Sequence, residues 1–190
     1  KQQLDYYLSE GKQVIGCFPI YTPEVIADAA GIVPLGMWGA QTEFTLAKQY
    51  LVPFACPIMQ SCMEMGLSGA YKGVKAVMIP TMCDTLRCIT QDFKIGVKDI
   101  VTIPFTLTQN RGLKAEEYLT EEFRYVKETI EEVYQVSVTE EAMQASIEVY
   151  NAHNKEMRTF AELANKHLDL ITPSVRHDVF KSAWFMTKAE

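Results

Sequence analysis

QVIGCFPIYTPEVIADAAGIVPLGM, residues Gln13 to Met37, sets two short apolar runs on either side of a Thr-Pro step and an alanine-rich stretch. Gln13–Pro19 has the continuous apolar character of a strand buried on both faces. Thr22 offers an N-cap hydroxyl and Pro23 a first helical residue, so a helix EVIADAAG is expected, stopped by Gly31. Ile32–Met37 reads as a second strand. Pro34 places it at a sheet edge, because a proline has no N–H to give a central ladder.

The same alternation continues outward. Pro57–Tyr71 (PIMQSCMEMGLSGAY) is a helix that Gly66 and Gly69 weaken. Val74–Pro80 (VKAVMIP) and Asp99–Phe105 (DIVTIPF) are two further strands, separated by a helical stretch from Asp84 to Gly96. Strand and helix in alternation predict an α/β fold, a parallel sheet flanked by helices in the Rossmann-like manner, over residues 1–112. Residues 113–190 change character. Leu119, Phe123, Val126, Ile130 and Val133, then Met143, Ile147, Tyr150, Met157 and Phe160, recur at helical spacing and predict amphipathic helices. Ser137-x-x-Glu140 has the form of a capping box opening the second of these, and Pro173 begins a third that runs on through SVRHDVFKSAWFMTK.

Composition narrows the function. With 48% apolar residues in 190, the chain can bury a core, and its net charge of −6 with scattered basic residues gives a nucleic-acid surface no footing. No apolar run reaches the roughly 18 residues of a membrane span, and KQQLDYYLSEGKQ lacks the layout of a signal peptide, so a cytoplasmic protein is expected. The first residue is Lys1 rather than Met, so an internal position of a longer product, or the start of a processed or fragmentary one, is expected.

Five cysteines, Cys17, Cys56, Cys62, Cys83 and Cys88, make an odd set in which disulfides are not expected and no C-x-x-C pair occurs. In an open parallel sheet, ligands gather outside the carboxyl ends of the strands, where loops enter helices. Cys56 precedes Pro57 at a helix start, Cys83 follows the strand VKAVMIP and precedes Asp84, itself a candidate cap, and Glu24 lies in the first turn after QVIGCF. A helix N-terminus carries partial positive charge and free N–H groups, which favour a thiolate, the form that binds metal. Each residue also has a plain structural reading. Cysteine commonly packs as a small hydrophobe, which suits Cys17 in its strand and Cys62 and Cys88 in their helices and leaves both readings open for Cys56 and Cys83. An acid in a first helical turn is ordinary dipole compensation, and His153, His167 and His177 are surface or boundary residues without acidic or thiol companions. No phosphate-binding glycine motif is present.

Four segments in order, GCFPIYTPEVIADAAGIVPLGMWG, ACPIMQSCMEMGLSG, VMIPTMCDTLR and YNAHNKEMRTF, resemble the amino-terminal half of a 2-hydroxyacyl-CoA dehydratase subunit, in the wider family that includes benzoyl-CoA reductase subunits. The resemblance implies an oxygen-sensitive heterodimer that takes an acyl-CoA substrate, binds a [4Fe-4S] cluster through three cysteines in each subunit, and receives electrons from an ATP-dependent iron–sulfur activator protein. It implies elimination of water from an (R)-2-hydroxyacyl-CoA to a 2-enoyl-CoA through a ketyl radical. Cys56 and Cys83 match two of the three cluster ligands, and Glu24 matches an acidic position near the substrate. The third ligand belongs to a second α/β domain beyond residue 190, so these residues alone are expected to hold no intact cluster. Within the family, a benzoyl-CoA reductase or double-cubane cluster reductase subunit is the alternative; outside it, a non-catalytic structural subunit or fragment.

Overall fold

The structure is a computed structural model that describes all residues from Lys1 to Glu190. Four short strands form one parallel sheet in the order β2-β1-β3-β4: β1 Val14–Cys17, β2 Val33–Gly36, β3 Ala76–Pro80 and β4 Val101–Phe105. The prolines fall where a ladder tolerates them. Pro34 lies on edge strand β2 and Pro104 on edge strand β4, while Pro80 is the last residue of β3.

Helices α1 (Gln2–Ser9), α3 (Pro57–Leu67) and α4 (Asp84–Gly96) cover one face of the sheet, and α2 (Glu24–Ala29) and α5 (Leu113–Tyr134) the other. Alternation along the strands explains both cores. Val14 and Phe18 of one parity pack with Met63, Ile89 and Phe93, whereas Ile15 and Cys17 of the other pack with Ile26, Val126 and Ile130. Tyr134 wedges α5 onto the sheet: its hydroxyl donates to Val14 O at 2.8 Å and accepts from Ala76 N at 3.2 Å, joining neighbours β1 and β3 at their amino ends. Helix α6 (Glu140–Lys166) lies on α2 through Ser146, which donates to Val25 O at 3.0 Å and Asp28 Oδ2 at 2.7 Å. Helix α7 (Pro173–Ser182) packs on α6 with Phe180 edge-on to Phe160. No helix is long and apolar enough to cross a membrane.

Local signals fared unevenly. Gly31 does end α2, at φ 71°, with Ile32 N bonded to Ala27 O and Gly31 N to Asp28 O, both bonds of a Schellman cap. Thr22, however, does not cap the other end. Pro23 holds the cap position and makes no side-chain bond, and Thr22 Oγ1 is buried without a partner. The expected capping box at Ser137 does not form either: Thr139 is the N-cap, its hydroxyl accepting from Ala142 N at 3.2 Å, so the helix begins two residues later than a Ser137 cap requires. The third helix stops at Ser182 instead of continuing to Lys188. Residues 183–190 turn back onto the sheet unit because their partners lie there. Gly36 N donates to Trp184 O at 2.6 Å, Trp184 meets Trp38 edge-on, and Tyr7 OH donates to Glu190 Oε2 at 2.8 Å.

Candidate functional site

The strand order reverses between β1 and β3, because the chain first steps outward to β2 and then crosses back to β3. Loops at the carboxyl ends of two such strands diverge and leave a crevice. One loop, Phe18–Pro23, leads to Glu24; the other, Thr81–Cys83, leads into α4. Helix α3 also begins at this edge, since it returns the chain from the carboxyl end of β2 to the amino end of β3.

Cys56 is the N-cap of α3, with Pro57 in the first turn, and its thiol is exposed and makes no capping bond. Cys83 is the N-cap of α4, and its exposed Sγ accepts from Leu86 N at 3.5 Å. Asp84, a candidate cap from sequence, is instead the first helical residue, fully exposed beside Arg87. The two capped helices pack against each other through Gly66, where Phe93 and Val97 leave no room for a side chain. Two exposed thiols thus stand at helix N-termini on one edge, the right chemical type for an iron–sulfur cluster. No three His, Cys, Asp or Glu side chains within residues 1–190 come together to hold a metal.

The other cysteines divide. Cys17 is fully buried, and burial together with Glu24 pushes its thiol well up; Cys62, also fully buried, is pushed up to about 12 by burial and donates to Met37 O at 3.1 Å. Both pack as sequence suggests. Cys88 does not, for it faces solvent on α4.

Glu24 opens α2 but is 8% exposed, too buried for simple dipole compensation. Its Oε2 lies 3.0 Å from Lys188 Nζ and accepts from Tyr150 OH at 3.4 Å. The carboxylate forms part of the wall of a cleft of ≈ 610 Å³ between α2, α6, α7 and the returning segment, lined also by Tyr21, His153, Asn154 and Trp184. His153, half-buried in this wall, is a boundary residue as expected, and burial, then Lys188, holds its ring below the usual imidazole range. Tyr21 adopts φ 65°, a left-handed conformation that costs a non-glycine residue of order 1 kcal/mol and recurs in ligand-binding loops.

Two residues that matter here escaped the sequence reading. Lys188 was absorbed into an expected helix. Glu64, on the inner face of α3, is 7% exposed and accepts N–H bonds from Thr45 at 3.0 Å, Leu46 at 3.2 Å and Ala47 at 2.8 Å. Its signal was an acid set among Met59, Cys62, Met63 and Gly66 in an otherwise apolar stretch, where a charge needs a built partner. Exposed apolar side chains also gather along this edge in the loops that flank the cysteines: Tyr21, Val52, Met82 and, at 88% exposure, Phe54.

Comparison with known proteins adds a family match and three relatives. A profile of the family described as 2-hydroxyglutaryl-CoA dehydratase, D-component, matches residues 19–190. The (R)-phenyllactyl-CoA dehydratase beta subunit of Clostridium sporogenes is 41% identical over 95% of this chain and 48% of its own. The lactoyl-CoA dehydratase subunit beta of Anaerotignum propionicum is 40% identical over 99% of this chain and 50% of its own, and the (R)-2-hydroxyglutaryl-CoA dehydratase subunit beta of Acidaminococcus fermentans is 38% identical over 100% and 51%. The chain spans about half the length of these relatives.

Proposed function

Since the chain belongs to the 2-hydroxyglutaryl-CoA dehydratase D-component family, we propose that it forms the cluster-binding amino-terminal part of a 2-hydroxyacyl-CoA dehydratase subunit. The observation that carries this reading is the pair of exposed thiols, Cys56 and Cys83, capping two packed helices at the carboxyl edge of the sheet. In the proposed enzyme these two would hold a [4Fe-4S] cluster together with a third cysteine outside residues 1–190. The chemistry such a cluster would supply when bound is one-electron reduction of the thioester carbonyl, which lets an (R)-2-hydroxyacyl-CoA expel its 2-hydroxyl and lose a C3 proton before the electron is returned to give the 2-enoyl-CoA.

The protein's own part is positioning. At the start of α4 the N–H of Leu86 donates to Cys83 Sγ, whereas Cys56 Sγ accepts no such bond at the start of α3; hydrogen bonds of the first kind to cluster sulfur tune a reduction potential. Glu64 pins the loop Thr45–Ala47, upstream of Cys56, against α3. The apolar side chains around the thiols call for cover, which fits a second subunit and a docking activator, and a dry site is what the proposed radical requires. The relatives' names, which cover phenyllactyl, lactoyl and 2-hydroxyglutaryl thioesters, support an acyl-CoA substrate and leave its acyl chain open.

The test uses the full-length protein purified anaerobically with its partner subunit. Given activator, ATP and a reductant, it should convert an (R)-2-hydroxyacyl-CoA to the 2-enoyl-CoA, and Cys83→Ser should lower bound iron and abolish the reaction. Cys17→Ser should keep its iron. Equal iron in the two variants would defeat the ligand assignment.

A further inference from the structure

Lys188 makes a buried ion pair far from its neighbours in sequence. Its side chain is 9% exposed, and it contacts Glu24 Oε2 at 3.0 Å and the carbonyl of Ala183. The ammonium also lies over two rings, 5.7 Å from the centre of Tyr150 and 5.8 Å from that of Trp184. A lysine desolvated to this degree is held by all of its partners at once, and removing one leaves charge unbalanced in a poorly hydrated place.

The arrangement around Glu24 is lopsided. Lys188 and Tyr150 both use Oε2, while Oε1 bonds no protein group. Nor is Oε1 sealed in: the buried polar atoms without a partner are Thr22 Oγ1, Trp38 Nε1 and Thr102 Oγ1, and it is not one of them. Thr22, beside Glu24, also lines the cleft, but its hydroxyl is buried behind that wall, so the free carboxylate oxygen of Glu24 is the open acceptor there. The charged and titratable groups near the carboxylate are Lys188 from the returning segment, Tyr150 and, further round the cleft, His153 from α6, Cys17 from β1, and Asp28 of α2, itself engaged by Ser146. Lys188 is the one positive partner in contact.

We infer that Lys188 is a positioning residue: with Tyr150 it fixes Oε2 of Glu24 so that Oε1 faces the cleft as an anionic acceptor for the hydroxyl of a bound 2-hydroxyacyl thioester. The inference rests on the dehydratase reading and deepens it. The cleft provides the rest of such a subsite, with apolar Met157 and Phe180 for an acyl chain and Asn154 for a polar contact. Hydroxyl recognition by a buried, pre-oriented carboxylate discriminates strongly, because a ligand without the hydroxyl leaves the acceptor unpaired.

The experiment compares substrate and product, which differ by the hydroxyl. In the full-length protein with its partner subunit, Lys188→Met and Glu24→Gln should each weaken binding of the 2-hydroxyacyl-CoA at least tenfold and leave binding of the 2-enoyl-CoA within about twofold. Lys188→Arg should restore most of the loss, and Tyr150→Phe, which keeps the ion pair, should show the same selectivity at a few-fold. Equal weakening of both thioesters by Lys188→Met, or no rescue by arginine, would reduce Lys188 to a structural pin and overturn the inference. Selective loss in Glu24→Gln with wild-type behaviour in Lys188→Met would overturn it while sparing Glu24, and unchanged binding in Glu24→Gln would overturn it through its premise about that cleft. A wild-type complex that dehydrates no 2-hydroxyacyl-CoA would remove the dehydratase reading itself, and the inference with it.

Discussion

Glu64 accepts three backbone N–H bonds from Thr45, Leu46 and Ala47, in the connection that runs from β2 to Cys56. Burial alone would push its carboxyl up, but the bonds from Ala47, Leu46 and Thr45 outweigh that and hold it below the usual carboxylate range. Folding therefore favours the ionised form. The sign follows: this stabilisation is complete above the unfolded value near pH ~4.3 and is lost as pH falls through the lower folded value. Glu64→Gln should cost about 2 kcal/mol at neutral pH in urea unfolding, since the loop keeps its donors and loses a charged acceptor. The gap between variant and wild type should close as pH drops below about 4. A gap constant with pH would mean that shape rather than charge secures the loop. Cys17→Ser offers a contrast, a fully buried change with a packing cost on the order of 1 kcal/mol and no effect on iron. Cys56, beside a proline at a helix start, and Cys83, directly after a strand, stood out in the sequence because both are local patterns. It hid Glu64 and Lys188 because their partners lie 17 and more positions away.

Helix α4 was readable to the residue, from Asp84 to Gly96, since strand end and apolar period agree there, although its cap is Cys83 rather than Asp84. Helix α7 was overread by several residues, for its last apolar positions serve Trp38 and the edge of β2 rather than a helix face. Gly66 shows how an element-level inference can reverse in sign. By propensity alone it weakens α3, and alanine should stabilise the helix by about 1 kcal/mol. In the structure an added Cβ would lie 2.8 Å from Phe93 Cε2 and 2.9 Å from Val97 Cγ2, both within the contact between α3 and α4. Overpacking of that kind costs about 1–3 kcal/mol, so the packing penalty should win. We expect Gly66→Ala to lower the unfolding midpoint and, because α3 and α4 carry Cys56 and Cys83 at their starts, to reduce iron retention in the full-length complex. A stabilised variant with full iron would show that the two helices can separate freely.

Residues 113–190 are bound into the α/β unit through two routes of different character. Helix α5 closes one face of the sheet with Val126, Ile130 and Tyr134, all nearly or fully buried, whereas segment 183–190 returns over the opposite rim through polar and aromatic contacts. The parallel sheet was legible because its strands are continuous apolar runs between helices. The route of segment 183–190 was not, because a single ion pair and a tryptophan pair leave no periodic trace. The donor set also has a consequence for the chain taken alone. Two thiols, with no third His, Cys, Asp or Glu grouped beside them, offer too few ligands for a four-iron cluster, whose irons are ordinarily each held by a cysteine or an equivalent donor. Residues 1–190 reconstituted anaerobically with iron and sulfide should therefore retain well under four irons per chain after gel filtration and lose them quickly to a chelator. The full-length protein under the same treatment should hold its iron. A stable four-iron complement on residues 1–190 would show that two thiolates and solvent suffice, and would leave the third cysteine without a necessary role.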